Sequence, residues 1–87
     1  MMQKLRPDLD IGKNIQEIRY AKKMTQDEVV AKLQSHGIDI SKSSYAKIET
    51  NRMNIRISEL VALKLLFKVD FNDFFKGLIP KNLEPFE

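Results

Sequence analysis

Residues 24–52 read MTQDEVVAKLQSHGIDISKSSYAKIETNR, and this stretch decides the fold. Thr25 followed three positions later by Glu28 is a capping box, in which each side chain binds the other residue's backbone amide, so a helix is predicted to begin there. Gly37 suits the position just past a helix end, because glycine adopts positive φ without steric cost. Ser41 is a good N-cap for another helix. The stretch therefore predicts two short helices joined by a connector.

Each of these two helices is predicted to have a buried face. In the earlier helix the apolar residues at helical spacing are Val29, Val30 and Leu33. The later helix is predicted to end near Thr50, and Tyr45 and Ile48 lie three positions apart on its inner side. The outward side is then small and basic, and it is formed by Lys42, Ser43, Ala46 and Lys47.

Helical patterns also flank this stretch on both sides. A first helix is predicted from Asp10, a good N-cap, to about Lys23, and its apolar face is formed by Ile11, Ile15 and Ile18. A fourth helix is predicted from about Ile57, and its apolar residues are Leu60, Leu63, Leu66 and Phe67. A short last helix begins at Asp70 and ends before Gly77, and two of its aromatic residues are expected to complete the core, Phe71 and Phe74. No strand alternation of useful length is present, so the predicted fold class is all-α, a compact bundle of five short helices.

The composition is that of a small folded domain. The chain has 87 residues, 43% of them hydrophobic and 31% charged, which is enough for one core and too apolar for disorder. We expect an N-terminal arm at 1–9, one helical domain at 10–76 and a C-terminal tail at 77–87. The absence of cysteine excludes a disulfide framework, and no apolar run is long enough for a membrane span. A cytoplasmic protein is expected.

Positive charge is concentrated in one part of the chain. The net charge is only +3. Between residues 41 and 56, however, one acid, Glu49, stands among the basic residues Lys42, Lys47, Arg52 and Arg56. A local basic patch on a nearly neutral body favours phosphate binding, although a solvated charged face would give the same pattern.

Four short motifs resemble one known family. They are Ile15-x-x-Ile18-Arg19, Met24-Thr25-Gln26-Asp27-Glu28, Ile48-Glu49-Thr50-Asn51-Arg52 and Leu66-Phe67-Lys68-Val69. Their order and spacing resemble the Cro and phage-repressor type (lambda repressor-like, XRE-type) of helix-turn-helix protein. The resemblance implies sequence-specific binding of double-stranded DNA by a small transcriptional regulator, with a repressor favoured over an activator.

The resemblance also implies roles for individual residues. Gln26, which opens the second helix, is expected to bind a DNA phosphate. Arg19 and Glu49 are expected to form a structural ion pair between the first and third helices. The resemblance places Lys42, Ser43 and Lys47 at base-contacting positions in the major groove, although either lysine could bind phosphate instead. For Ser43 and Ser44 three roles stay open, which are contact with a base, contact with the DNA backbone and capping of the helix. The loop after the third helix is expected to meet phosphates through Thr50, Asn51, Arg52, Asn54 and Arg56.

The chain departs from the family pattern in its connector and at two packing positions. The connector between Leu33 and Ser41 is longer than the tight turn of the shortest relatives, so the second helix is expected to run further before Gly37. Val30 and Lys64 stand where the family usually has alanine, which predicts wider packing and an extended path for the Lys64 side chain.

Other classes of function fit the sequence less well than DNA binding. Catalysis is disfavoured because the chain has one histidine, His36, and no cysteine or acid cluster to complete a site, and neither a metal nor a cofactor is expected. The stronger alternative is an antitoxin or protein-binding adaptor with the same fold. A homodimer is expected because one small helix reads too few base pairs. The predicted interface is formed by Phe75, Leu78 and Ile79. No ligand domain is expected.

Overall fold

The computed structural model describes residues 4–5 and 10–78. The elements, in chain order, are β1 (Lys4–Leu5), α1 (Ile11–Ala21), α2 (Gln26–Ser35), α3 (Lys42–Glu49), β2 (Ile55–Arg56), α4 (Ile57–Phe67) and α5 (Phe71–Phe74). The five predicted helices are therefore present. None of the described helices is long and apolar enough to cross a membrane.

Side-chain caps fix where the first three helices begin. Asp10 caps α1 through its carboxylate. At the start of α2, the amide of Glu28 donates to Thr25 Oγ1 (3.1 Å) and the amide of Thr25 donates to Glu28 Oε1 (2.9 Å), so the predicted capping box is confirmed. Ser41 Oγ accepts from the amide of Ser44 (3.0 Å) at the start of α3. These caps satisfy amides that have no partner inside a helix.

The helices enclose one apolar core. α3 packs against both α1 and α2, α2 also packs against α4, and α5 packs against α1. The buried apolar side chains are Ile11, Ile15, Val29, Val30, Leu33, Ile40, Tyr45, Ile48, Ile55, Leu60, Leu63, Phe67 and Phe74. Ile18 and Leu66, which the pattern placed on buried faces, are half-buried at the edge of this core. The arrangement anchors the inner side of α3 and leaves its outer side at the surface.

The prediction that Phe71 completes the core is wrong. Phe74 is fully buried, but Phe71 is 42% exposed. α5 is a single turn of four residues, and Phe71 is its first residue, so its ring lies at the edge of the bundle. There the Lys64 ammonium stands 5.6 Å from the ring centroid, a cation–π contact. Lys64 is half-buried in α4, and this contact gives its charge a partner at the surface.

A two-stranded ladder lies outside what the pattern predicted. β1 and β2 pair in antiparallel register, with Lys4 opposite Arg56 and Leu5 opposite Ile55. Each strand has two residues, which is too short to show an alternating pattern in a sequence. Part of the predicted N-terminal arm is therefore attached to the segment that follows α3.

Candidate nucleic-acid interface

The outer face of α3 carries the side chains predicted to meet bases. Lys42, Ser43 and Lys47 are exposed, while Tyr45 and Ile48 are buried on the opposite side. The helix is thus held by its inner residues and presents a short polar and basic surface to solvent. This surface has the chemistry of a nucleic-acid contact, with ammonium and hydroxyl donors and no acid between them.

Ser44 belongs to the helix cap more than to this surface. It is half-buried, and Ser41 Oγ donates to Ser44 Oγ across 3.0 Å. Its amide is already bound to the same hydroxyl. The structure therefore places Ser44 within the start of α3, beside the predicted base-contacting residues.

Lys42 forms an ion pair that the sequence did not indicate. Its Nζ lies 2.9 Å from Oδ1 of Asp27, in the first turn of α2, and both side chains are exposed. The pair links the two helices at the surface, next to Gln26. An exposed pair of this kind contributes little to stability, about 0.2–1 kcal/mol, but it occupies the ammonium group.

The buried ion pair between Arg19 and Glu49 connects α1 to the end of α3. Arg19 Nε donates to Glu49 Oε2 (2.7 Å) and Arg19 Nη2 donates to Glu49 Oε1 (3.0 Å), a bidentate geometry. The two side chains are 7% and 0% exposed. Arg19 Nη1 also donates to the carbonyl of Met24 (3.0 Å), and the guanidinium stacks on the ring of Tyr20. The structure brings together the two residues expected to form this pair.

The ionisation of this pair is fixed by its contacts. Burial by itself raises the pKa of the Glu49 carboxyl, but hydrogen bonds from Arg19 and Gln26 and the charge of Arg19 lower that pKa below its ordinary value. The hydrogen bond to Glu49 raises the pKa of the Arg19 guanidinium. Burial raises the pKa of the neighbouring Tyr45 phenol. At neutral pH the cluster therefore contains one cation, one anion and a neutral phenol.

Gln26 lies closer to the core than its predicted role required. It is the first residue of α2 and is half-buried, and its Nε2 donates to Glu49 Oε1 across 3.0 Å. The side chain is therefore oriented by the same carboxylate that binds Arg19. The two residues are 23 positions apart, and nothing in the sequence pattern indicated their contact.

The residues after α3 form a tight, internally bonded turn. Thr50 Oγ1 donates to the carbonyl of Ala46 (3.2 Å), and the Nε of Arg52 donates to that hydroxyl (3.0 Å). The amide of Arg52 donates to the carbonyl of Lys47 (2.8 Å). Asn51 has a φ of 60°, in the left-handed region that asparagine tolerates better than most residues. Arg52 is thereby held at the surface one step beyond the exposed face of α3.

Two other predicted phosphate ligands lie further along this segment. Asn54 and Arg56 are half-buried, and Arg56 is in β2. The amide of Arg56 donates to Oε1 of buried Glu59 (2.7 Å), which fixes the start of α4. The structure thus brings Thr50, Asn51 and Arg52 together and places Asn54 and Arg56 nearer to the sheet.

Two positions that support the site were missed in the sequence. Gly12 of α1 faces the end of α3, where a Cβ would overlap the carbonyl oxygen of Ile48 and lie 2.7 Å from that of Glu49. Asn14 Nδ2 donates to the carbonyls of Phe74 (2.8 Å) and Lys76 (3.0 Å), so it ties α1 to the end of α5. A lone glycine or asparagine inside a helical pattern gives no sign of such contacts, because they depend on which helix packs there.

The predicted dimer residues differ in their surroundings. Phe75 is exposed, whereas Leu78 is half-buried and packs against the core. Ile79 lies outside the described residues.

The fold defined by these elements is a five-helix helix-turn-helix domain, in which α2 and α3 form the helix pair. One solved structure with this fold is the restriction-modification controller protein C.AhdI from Aeromonas hydrophila. The two superpose with a TM-score of 0.64 at 19% sequence identity, over 77% of this chain and 94% of C.AhdI. The match establishes a shared fold. No protein-family model and no curated protein matches the sequence.

Proposed function

We propose that this chain is a small transcriptional regulator that binds double-stranded DNA sequence-specifically, with α3 in the major groove. The observation that carries the proposal is the exposed polar and basic face of α3, where Lys42, Ser43 and Lys47 project from a helix anchored by Tyr45 and Ile48. A helix presented in this way fits the major groove. The fold shared with a protein described as a restriction-modification controller supports a regulatory role. Action as a cytoplasmic repressor is part of the proposal.

The proposed contacts divide into two groups. Lys42, Ser43 and Lys47 meet base edges, and a lysine that donates to guanine O6 and N7 discriminates by about 1–3 kcal/mol. Ser44, which is bonded to Ser41 at the start of α3, is proposed to contact the DNA backbone. Phosphates are bound by Gln26, Thr50, Asn51, Arg52, Asn54 and Arg56. The phosphate contacts fix the register of the protein on the duplex, and the base contacts give specificity.

The active species is proposed to be a homodimer. Two copies related by a two-fold axis place two α3 helices about one DNA turn apart, which doubles the number of bases read. The proposed interface consists of three residues, which are Leu78, Ile79 and the exposed Phe75. Sedimentation of the free protein at several concentrations measures this equilibrium.

The test is a titration of duplex DNA at several salt concentrations. We expect binding at about 50 mM salt and a steep loss of affinity as salt rises, because phosphate contacts release counterions. Absence of binding to a folded protein at that salt would contradict the proposal. Selection from a random DNA pool then gives the operator. With that operator, Lys47→Ala should reduce affinity for the selected sequence more than for random DNA if Lys47 contacts a base.

A second candidate function is that of a protein-binding adaptor, and one surface feature favours it. α2 and α4 border a groove of about 700 Å³. Its wall includes Leu65, which is 65% exposed, and Val61, and its ionisable lining residues are the basic Lys32, His36 and Lys68. An exposed apolar surface of this kind suits a protein partner. Two results together would favour the adaptor function over the regulator. The folded chain would not bind DNA, and Leu65→Glu would abolish the effect of the protein in cells.

A further inference from the structure

We propose that Glu49 is a positioning residue for DNA binding, because it holds the amide of Gln26 toward a phosphate. The inference rests on the proposed DNA-binding function and deepens it. The buried ion pair and the DNA-facing end of α2 then work as one unit, and Glu49 affects DNA affinity without touching DNA.

The geometry of the Glu49 carboxylate supports this coupling. Its Oε1 accepts two hydrogen bonds, one from Arg19 Nη2 (3.0 Å) and one from Gln26 Nε2 (3.0 Å). Its Oε2 accepts from Arg19 Nε (2.7 Å). The Glu49 side chain is fully buried, while Gln26 is half-buried. Gln26 therefore lies between a fixed internal anion and the surface.

The hydrogen-bonding capacity of Gln26 leaves a donor for DNA. A glutamine amide has two N–H donors and a carbonyl acceptor. One N–H of Gln26 is bound by Glu49. Because the amide is planar, binding one N–H also fixes the direction of the second N–H, which is then available to a phosphate oxygen.

The place of Gln26 in α2 makes the second donor useful. Gln26 is the first residue of the helix, where backbone amides lack partners within the helix and the helix dipole is positive. A phosphate at this end meets backbone N–H groups and the oriented side-chain N–H together. Without Glu49 the long glutamine side chain would sample several rotamers, and ordering it on DNA would cost affinity.

The experiment is a double-mutant cycle on DNA affinity. Gln26→Ala is measured in the wild-type protein and in an Arg19→Met/Glu49→Leu background, where apolar side chains replace the buried pair and no carboxylate remains. We expect Gln26→Ala to weaken wild-type binding roughly fivefold, the weight of one hydrogen bond, and to change binding less than about twofold in the substituted background. Unfolding curves confirm that each variant is folded at the temperature of the titration.

Gln16→Ala provides a matched control. Gln16 is half-buried in α1 and outside the Glu49 cluster, so its removal should leave DNA affinity within about twofold of wild type. An equal loss from Gln26→Ala in both backgrounds would overturn the positioning role, and so would no loss in the wild type.

A second measurement keeps the inference testable if the substituted background does not fold. In the wild-type protein, NMR should show the Gln26 side-chain amide in nuclear Overhauser contact with Arg19 and Glu49, in free and DNA-bound protein. Absence of these contacts overturns the inference. If the wild-type protein binds no DNA while these contacts are present, the proposed function fails with the geometry intact, and the positioning role falls with it.

Discussion

Gly12 of α1 lies directly against the backbone carbonyl of Ile48 at the end of α3, and no side chain fits between them. The contact brings α1 and α3 together at the point where Glu49 receives its hydrogen bonds from Arg19. The Gly12 contact and the buried ion pair therefore both join α1 to the end of α3.

We expect Gly12→Ala to destabilise the protein, although alanine favours a helix over glycine by about 1 kcal/mol. The added Cβ meets backbone atoms, which cannot rotate away, and overpacking of this kind costs about 1–3 kcal/mol. Urea unfolding followed by circular dichroism measures the change in the free energy of unfolding. Lys13→Ala, at an exposed position of the same helix, is the control and should change stability by less than about 0.5 kcal/mol.

Removal of one partner of the buried ion pair should be costly. Arg19→Ala leaves the charge of Glu49, whose side chain is 0% exposed, and Glu49→Ala leaves the charge of Arg19, whose side chain is 7% exposed. For either variant we expect a loss of about 3–5 kcal/mol. Arg19→Met combined with Glu49→Leu removes both charges and should be much closer to wild type. Urea unfolding measures the change in the free energy of unfolding for the two single variants and the double variant. A double variant as unstable as the single variants would contradict this account.

Stability should fall in acid because of the same pair. The pKa of Glu49 is lowered in the folded protein, so its contribution is present above the unfolded carboxyl pKa of about 4.3 and is lost as pH falls through the lower native value. The carboxyl of Glu28, whose pKa is lowered by the amide of Thr25, adds to the trend in the same direction. Unfolding measured from pH 7 downward should therefore show less acid destabilisation in Arg19→Met/Glu49→Leu, which keeps Glu28. Equal slopes in the two proteins would contradict the assignment to Glu49.

Asp27→Asn should strengthen DNA binding. Asp27 occupies the ammonium of Lys42 at 2.9 Å and places a carboxylate beside Gln26, the proposed phosphate ligand. We expect affinity to rise several-fold at low salt and the gain to shrink as salt screens the charge. Stability should change by less than about 1 kcal/mol because the pair is exposed. Glu17→Gln, which removes an exposed acid from α1, is the control for net charge. An equal gain in DNA affinity from Glu17→Gln would show that the gain comes from net charge and not from the position of Asp27.

Asn14→Ala should loosen the end of the bundle. Two carbonyls, of Phe74 and Lys76, would lose the donor that Asn14 supplies, at a cost of about 1–2 kcal/mol. Because α5 is a single turn, we expect the loss to appear locally, as faster hydrogen exchange of the Phe75 amide. Unchanged exchange would show that the hydrogen bonds of Asn14 do not hold α5 in place.

The helices could be predicted because their signals are local. Thr25, Glu28 and Ser41 lie within one turn of the amides they bind, and the spacing of Ile11 and Ile15 gives the buried face of α1 directly. The prediction of a five-helix helix-turn-helix fold is confirmed. The roles assigned to individual residues in DNA binding stay predictions.

The contacts between different helices could be identified only from the packed structure. Gln26 and Glu49 meet across α2 and α3, and neither residue type by itself indicates a partner. The exposure of Phe71 could not be predicted from the spacing, because Phe71 and Phe74 lie three positions apart in one short helix and only the packed structure shows which ring enters the core. The ion pair of Lys42 with Asp27 joins two residues whose helices first had to be placed side by side.

The pairing of β1 with β2 bears on the order in which the chain folds. The contact of Lys4 with Arg56 closes a loop that contains α1, α2 and α3, so its entropy of closure is among the largest in the described part of the chain. Contacts between neighbouring helices close much shorter loops and are expected to form earlier. We therefore expect the strand pair, like the contacts of Asn14 with Phe74 and Lys76, to form late. During synthesis α3 would therefore be complete before β2, the partner of β1, has been made.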